Sequence, residues 1–523
     1  MRHRTLGSLA LVLAAAAVPA GAQQGAPPFD VVEASIADVH AALHAGTVTC
    51  DALVRAYLAR IDAYDKNGPA INAIVIVNPD ALAVADSLDR VQAAGKPLGP
   101  LHCIPMIVKD NYDTKGLQTT GGSLAFKGYA PDRDAFVVAR LRAAGAIVLA
   151  KSNMAELAFS PYETVSSILP GYTRNPYELD RVTAGSSGGT AAAVAASEGT
   201  AGLGTDTGNS IRGPSSHQAL VGIRPTLGLT SRAGVVPLFL GADVTGPMAR
   251  TVADAAAVLQ AIAGPDPNDP ATLASRGHVP DYAAYLQRDG LRGARIGVLH
   301  QAYDTPTLDP EIGALFARAL DDMRRDGATI VDPVAVPELQ AIRAIQTAGC
   351  NTFKRDFNNY LASLSPAPPV RDLAALIATR KYHPSIEGRL KDAEAVTDTS
   401  LDTPGCRSQA ALRERLRAAV TQLMDSMHLD AMVYPTWSNP PRLIGDLNTP
   451  AGDNNQFFSP YTGFPAITVP MGYSHGGILP AGVQFFGRQW DEKTLIKLAY
   501  SYEQHTHWRH APSTTPPLVG VSR

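Results

Sequence analysis

From Thr183 to Ser216 the chain reads TAGSSGGTAAAVAASEGTAGLGTDTGNSIRGPSS, almost wholly Gly, Ala, Ser and Thr. The pattern predicts two Gly/Ser-rich turns flanking a helix of small residues. Residues without bulk at such turns let backbone pack against backbone. The larger apolar side chains of a core then have to come from elsewhere in the chain.

The flanking segments carry that apolar surface with clear periodicity. Residues 49–64 place Leu53, Tyr57, Leu58 and Ile61 at helical spacing, with Thr49 as a cap. Residues 79–94 repeat the pattern with Leu82, Ala85, Leu88 and Val91, and Gly95 stops it. LHCIPMIVKDNYDT reads as a strand feeding a loop, 132–144 as a helix, and AIVLAK after Gly145 as a buried strand. RIGVLH (295–300) and ATIVDP (328–333) bracket a further helix, while 336–430 is mostly helical and polar. DAMVYPTW (430–437), PAITVPMG (465–472) and AGVQFFGR (481–488) return to strands. Strands alternating with helices predict an α/β architecture with a largely buried sheet. Apolar runs from both ends of the chain are expected to share that sheet, with 336–430 as an appended helical, substrate-shaping region. No block of 20 to 50 residues recurs, which excludes a solenoid.

The chain has 523 residues, with 45 Lys+Arg against 48 Asp+Glu, a net charge of −3. That balance excludes an electrostatic nucleic-acid binder. With 45% hydrophobic and 18% charged residues, the composition is that of a globular protein. The N-terminus, MRHRTLGSLALVLAAAAVPAGAQQ, has a basic start, a short apolar run and a small-residue cleavage site, so residues 1–22 are expected to be a secretory signal peptide. The run is shorter than the ~20 residues of a membrane span, and no stable membrane anchor is expected. The mature protein is expected to be periplasmic or secreted. Export permits disulfides; Cys350–Cys406 is the predicted bridge, and Cys103, in an apolar strand pattern, is predicted to be a buried free thiol. The absence of CxxC and HExxH gives no metal site, and no cofactor is expected. Residues 511–523 read as a loose C-terminal tail.

Several chemistries compete for the 183–216 stretch. Phosphate binding is poorly supported: there is no GxxxxGK[ST], and Gly202, Gly204 and Gly208 read GxGxxxG. GSSGG (185–189) fits the nucleophile elbow of an α/β-hydrolase esterase with Ser187 at its centre. That elbow needs an apolar strand immediately before it, and NPYELDRVTA is a poor one. A non-catalytic binding relative, whose turns serve packing alone, is another alternative.

A denser set of motifs favours a further reading. PMIVKDN around Lys109, AKSNMAE (150–156), TRNPYELDRVTAGSSGG (173–189), GLGTDTGNSIRGPSS (202–216), VGIRPTLGLTSRAGVVPL and VTGPMARTVADAA together make the chain resemble the amidase signature family. The resemblance is dense over about 100–260 and continues more weakly from about 30 to 505, implying one amidase domain over 30–510. It implies a mixed central β-sheet covered by helices on both sides. It also implies a seryl acyl-enzyme mechanism: Ser210 as nucleophile, Ser186 after a cis peptide bond as proton relay, and Lys109 as general base and acid. The backbone N–H groups of Thr207, Gly208, Asn209 and Ser210 then form the oxyanion hole. The implied substrate is a small-molecule amide or ester, with no nucleic-acid partner. A glutaminase component of a tRNA-dependent amidotransferase is a third possibility, against which the signal-peptide pattern speaks.

These residue types can bear that chemistry. An alcohol attacks only as it loses its proton, and a lysine accepts that proton only when neutral. Bringing its pKa from ~10.4 to ~7 costs about 4–5 kcal/mol, which burial behind Ile104, Pro105, Met106, Ile107 and Val108 can impose. The dipole of a helix opening near Gly189 opposes a further positive charge. Asn209 departs from the glycine common in the family at its position; Asn is the residue other than Gly that best tolerates left-handed backbone. It is expected to change substrate shape rather than reaction type. Asp206 and Arg212 are expected to brace the nucleophile loop, Ser187 to hydrogen-bond within its loop, and His217, Tyr434 and Trp437 to be packed.

Overall fold

The small-residue stretch lies at the centre of the molecule. In the computed structural model, which describes Met1 and residues 29–518, the helix Gly188–Ala195 and the strand Ala201–Asp206 are buried at every residue. The signal-peptide reading falls on residues 2–28, outside the described residues. Glycines let the helix lie close on the sheet. A Cβ on Gly204 would stand 2.7 Å from Met248 Sδ and 2.9 Å from Ser187 Oγ, and one on Gly202 would stand 2.9 Å from the Ile107 carbonyl oxygen. The strand itself, AGLGTD, carries no β-branched pattern or aromatic residue, and sequence periodicity does not reveal it.

Eleven strands form one mixed sheet. From one edge the order is Ile74–Val77, Ile147–Ser152, Pro105–Lys109, Ala201–Asp206, Val244–Ala249 and Val221–Arg224. It continues through Ala466–Ser474, Leu479–Phe486, Ala431–Pro435, Arg295–Leu299 and Thr329–Val334. Pro105–Lys109 runs parallel to both its neighbours, with Val108 opposite Lys151 on one side and Leu203 on the other. The strands of the C-terminal third join the N-terminal ones through antiparallel pairing of Ala466–Ser474 with Val221–Arg224, so both ends of the chain do share one sheet. Arg295–Leu299 and Thr329–Val334 are parallel, joined by the helix Pro310–Arg325. Its first turn is capped by the Asp309 side chain. Thr49 caps Cys50–Ile61 in the same way.

The region 336–430 divides in two. Helices Phe353–Ala362, Leu373–Thr379 and Glu387–Glu394 bury Phe357, Leu373 and Leu390 in a small separate core, together with Phe126 and Phe159 from the loops around the signature stretch. The long helix Pro404–Ser426 instead sends Leu412, Leu416 and Val420 into the main core.

The cysteines pair as Cys350–Cys406, as expected, and as Cys50–Cys103, which corrects the free-thiol reading of Cys103. Cys50 opens the helix Cys50–Ile61 and Cys103 stands two residues before Pro105–Lys109, their Cα atoms 5.3 Å apart. The apolar pattern around Cys103 reported its burial but not which helix lies opposite. Residues 511–518, read as part of a loose tail, run along the body: Arg60 donates to the carbonyls of Thr515 (2.8 Å) and Pro516 (3.0 Å). Among the described residues no helix is long and apolar enough to cross a membrane.

Candidate active site

Lys109 is the last residue of the strand Pro105–Lys109, and all five residues of that strand are buried. Its amine reaches only neutral hydroxyls: it donates to Ser186 Oγ at 2.7 Å, Ser187 Oγ at 2.9 Å and Thr205 Oγ1 at 2.8 Å. Among the described residues no carboxylate lies within ion-pair distance of it. Burial disfavours the ammonium and lowers its pKa to about 7, against the opposing pull of Asp206 and Asp243. Near neutral pH a large share of Lys109 is therefore the free amine, whose lone pair can accept a proton from one of those hydroxyls.

Ser186 follows a cis peptide bond from Gly185, and both Ser186 and Ser187 are buried at the entrance to the helix Gly188–Ala195. Ser187 behaves as a loop hydrogen-bonder: besides Lys109, its hydroxyl meets the Thr205 carbonyl (3.2 Å) and the Thr205 N–H (3.3 Å). Its own N–H donates to the Ser210 carbonyl at 3.3 Å. That bond ties the GSSGG turn, which holds Ser186 against Lys109, to the DTGNS turn that carries Ser210. Ser210 is only 5% exposed.

The Thr207–Ser210 turn is held from outside. Asp206, at the end of its strand, accepts from the N–H groups of Ile211 and Arg212 and from the Arg212 guanidinium (3.1 Å). Arg224 pairs with it from the other side at 2.9 Å. Burial alone would raise the Asp206 pKa, but Arg212 and Arg224 hold it down at about 2. Arg212 also donates to Gln484 Oε1 at 2.9 Å and to the Gly208 carbonyl at 2.5 Å. Braced this way, the turn leaves four successive N–H groups, those of Thr207, Gly208, Asn209 and Ser210, with no protein acceptor among the described residues. Backbone N–H groups in or near a core are nearly always paired, so a run of four free donors beside a serine is a ready anion site.

The remaining sequence candidates are packed. His217 lies on Trp437, ring centroids 4.6 Å apart, with Nε2 on the Asn439 carbonyl at 3.2 Å. Burial lowers its pKa to about 4, so it stays neutral. Tyr434 is buried and accepts from Gln484 Nε2 at 2.6 Å. Cys50, His102 and Cys103 bring ligand-type atoms within 4.8 Å of one another, but the two sulfurs are joined as a disulfide. The strand Glu178–Val182 ahead of GSSGG pairs with Arg174–Asn175 in a two-stranded ribbon separate from the main sheet, so the core strand that an α/β-hydrolase elbow at Ser187 requires is not there.

Sequence reasoning missed Thr205 and Asn111. Thr205 is the third hydroxyl on Lys109 and also accepts from Asn111 Nδ2 at 3.1 Å. Period-two alternation would have flagged Thr205, had Ala201–Asp206 been recognised as a strand.

Known proteins match this arrangement over nearly its full length. The family profile described as Amidase matches residues 52–496. A probable amidase of Arabidopsis thaliana is 35% identical over 506 residues, covering 92% of each chain. A glutamyl-tRNA(Gln) amidotransferase subunit of Myxococcus xanthus is 35% identical over 497 residues, covering 92% of this chain and 99% of the relative. The solved peptide amidase of Stenotrophomonas maltophilia is 39% identical, with a TM-score of 0.85 over 92% of this chain and 99% of its own. The chain belongs to the amidase family, the amidase signature amidohydrolases that cleave C–N bonds.

Proposed function

We propose that this amidase-family chain is an exported amidohydrolase that cleaves a carboxamide through an acyl-enzyme on Ser210. Ser210 Oγ attacks the amide carbonyl while its proton passes through Ser186 to the neutral Lys109 amine. The oxyanion forms against the free N–H groups of Thr207, Gly208, Asn209 and Ser210; one such donor is worth about 100- to 1000-fold in rate. Lys109 returns the proton through Ser186 to the leaving amine, a step amides require because an amide anion leaves very poorly. Water then enters by the reverse path and releases the acid. Esters share the acyl-enzyme and react as a side activity.

The observation that carries this reading is the buried Lys109 amine, which meets only hydroxyls, one of them Ser186 at 2.7 Å. The esterase alternative on Ser187 is disfavoured because that hydroxyl is engaged by Lys109 and Thr205 and the neutral His217 faces Trp437. A free amidase is favoured over a tRNA-dependent amidotransferase component by likeness of shape: the TM-score is 0.85 to the peptide amidase and 0.67 to the glutamyl-tRNA(Gln) amidotransferase subunit of Thermotoga maritima. Export is supported by the leader pattern of residues 1–22 and by two disulfides, which an oxidising compartment permits. The test is covalent labelling of the mature protein with a fluorophosphonate, mapped by mass spectrometry, beside a hydrolysis panel of peptide, aryl, fatty and small aliphatic amides. The label is expected on Ser210, with turnover of at least one amide. A label on Ser187, or none, contradicts the reading.

A further inference from the structure

Behind the Thr207–Ser210 turn lies a small, partly open and mostly apolar cavity, with polar groups from Asn111, Thr205, Thr207, Arg232, Asp243 and Thr245 in its walls. Its volume of about 10 Å³ is about the room one water fills. Asn111 Oδ1 has no protein partner among the described residues, and with the Asp243 carboxylate and the threonine hydroxyls it offers a water the two to four partners such a site needs. The cavity connects two groups otherwise unrelated in sequence. On one side, Thr205 Oγ1 accepts from Lys109 at 2.8 Å and from Asn111 at 3.1 Å. On the other, Asp243 Oδ1 accepts from Thr207 Oγ1 at 2.6 Å, and its Oδ2 accepts from the N–H groups of Leu238 and Phe239 at 2.9 Å each.

The charges facing this region are few, and their pairing is uneven. Asp206 is held directly by Arg212 and Arg224. Arg232 is bound by Asp269 at 2.5 Å, and Arg413 lies against the rings of Phe239 and Tyr461 while donating to the Gly241 carbonyl. Asp243, by contrast, is a carboxylate with hydrogen-bond donors but, among the described residues, no cation in ion-pair contact. Asp206 with Arg212 and Arg224 leaves one positive charge, which an ionised Asp243 offsets; Arg232 is matched by Asp269, and Arg413 adds a further positive charge with, among the described residues, no carboxylate on it. Protonating Lys109 during acylation adds one positive charge to this group, and losing Asp243 would leave a second one without its offset.

We propose that Asp243 is a positioning residue for Lys109, supplying across this cavity the negative charge against which the amine takes up the Ser210 proton. The inference rests on Lys109 acting as the base. Asp243 keeps the amine basic enough to accept a proton, while burial keeps it from holding one at rest. Both carboxylates near Lys109 oppose the effect of its burial, Asp206 more than Asp243, but Asp206 is also held by two arginines whereas Asp243 is not.

The test is the pH dependence of the rate at which a fluorophosphonate labels Ser210 in the whole chain, which needs no knowledge of the substrate. In wild type the rate rises as pH rises through the Lys109 pKa. Asp243→Asn keeps the shape and removes the charge, so this limb is expected about one pH unit lower, with a plateau rate reduced about tenfold by the weaker base. Asp243→Ser is expected to shift it in the same direction. Asn111→Asp adds a carboxylate to the same cavity and is expected to move the limb to higher pH. A purely structural role gives no reason for shifts of opposite sign. Limbs that coincide with wild type in folded variants overturn the inference; should neither Asp243 variant fold, an unmoved or lowered limb in Asn111→Asp does so. Failure of wild-type labelling, or labelling that survives Lys109→Ala, overturns instead the assignment of the base.

Discussion

Lys109 and Lys151 sit on adjacent parallel strands, Val108 opposite Lys151, and both are fully buried. Burial lowers both pKa values, Lys109 to about 7 and Lys151 to about 8. Those values lie too close together to sort the two residues by role. Their partners do sort them. Lys151 donates to the Tyr112 carbonyl at 2.6 Å and to Thr119 Oγ1 at 2.8 Å, and it faces Asp110 at 3.8 Å. A carbonyl can only accept, so its lysine partner has to stay a donor there, and the carboxylate favours the ammonium. Lys109 meets three hydroxyls, each able to donate as well as accept. The same residue type on the same sheet is a donor held by acceptors in one place and, in the proposed reaction, a base among hydroxyls in the other.

The largest break in that comparison is catalytic. Lys109→Ala and Ser210→Ala are expected to lower amide turnover by at least about 1000-fold, whereas Lys151→Met keeps turnover within about tenfold per folded molecule. Equal losses at the two lysines would erase the distinction. Ser186→Ala is expected next, at about 100-fold or more on amides and distinctly less on activated esters, whose leaving group needs no proton. Parallel kinetics on an anilide and a nitrophenyl ester check this, and equal losses on both count against the relay.

Stability should sort the lysines in the opposite sense. Lys151→Met strands Asp110 in the core without its cation, which costs about 3–5 kcal/mol. Lys109→Met removes a group that must shed its proton on folding. The folded pKa of about 7 lies below the ordinary lysine value of 10.5, so the cost is complete below pH 7 and fades as pH rises toward 10.5. Urea unfolding is therefore expected to show Lys109→Met at least as stable as wild type at about pH 7, with wild type gaining on it between about pH 7 and 10. The smallest expected effect is Asn209→Gly, a change of less than about fivefold in kcat/KM with a shift among acyl groups. Its amide atoms are buried without protein partners among the described residues, so a loss near the size of the Ser210 effect would mean that it does more than shape the pocket.

Much of this was legible in the residues, and the gaps have physical reasons. Short continuous apolar runs located the strands Pro105–Lys109, Ile147–Ser152 and Ala466–Ser474, because buried strands there use β-branched and large side chains. The same signal fails at Ala201–Asp206, whose glycines make room for Ser187, Thr190 and Met248. Lys109, Ser186 and Ser210 stand in motifs that resemblance could mark one by one. Thr205 and Asp243 come near Lys109 only through strand register, and Cys103 meets Cys50 only through helix docking, so no short window of sequence contains either relation; Asn111, two residues after Lys109, stands in the same motif, but its bond to Thr205 does not.

The central claim is that a buried, uncharged Lys109 amine arms Ser210. Its most direct test is the rate of fluorophosphonate attachment to Ser210 in the wild-type chain from about pH 5 to 9. The account predicts a single rise centred near pH 7 that disappears in Lys109→Ala. A rate flat across that range, or a rise that persists without the lysine, would contradict it.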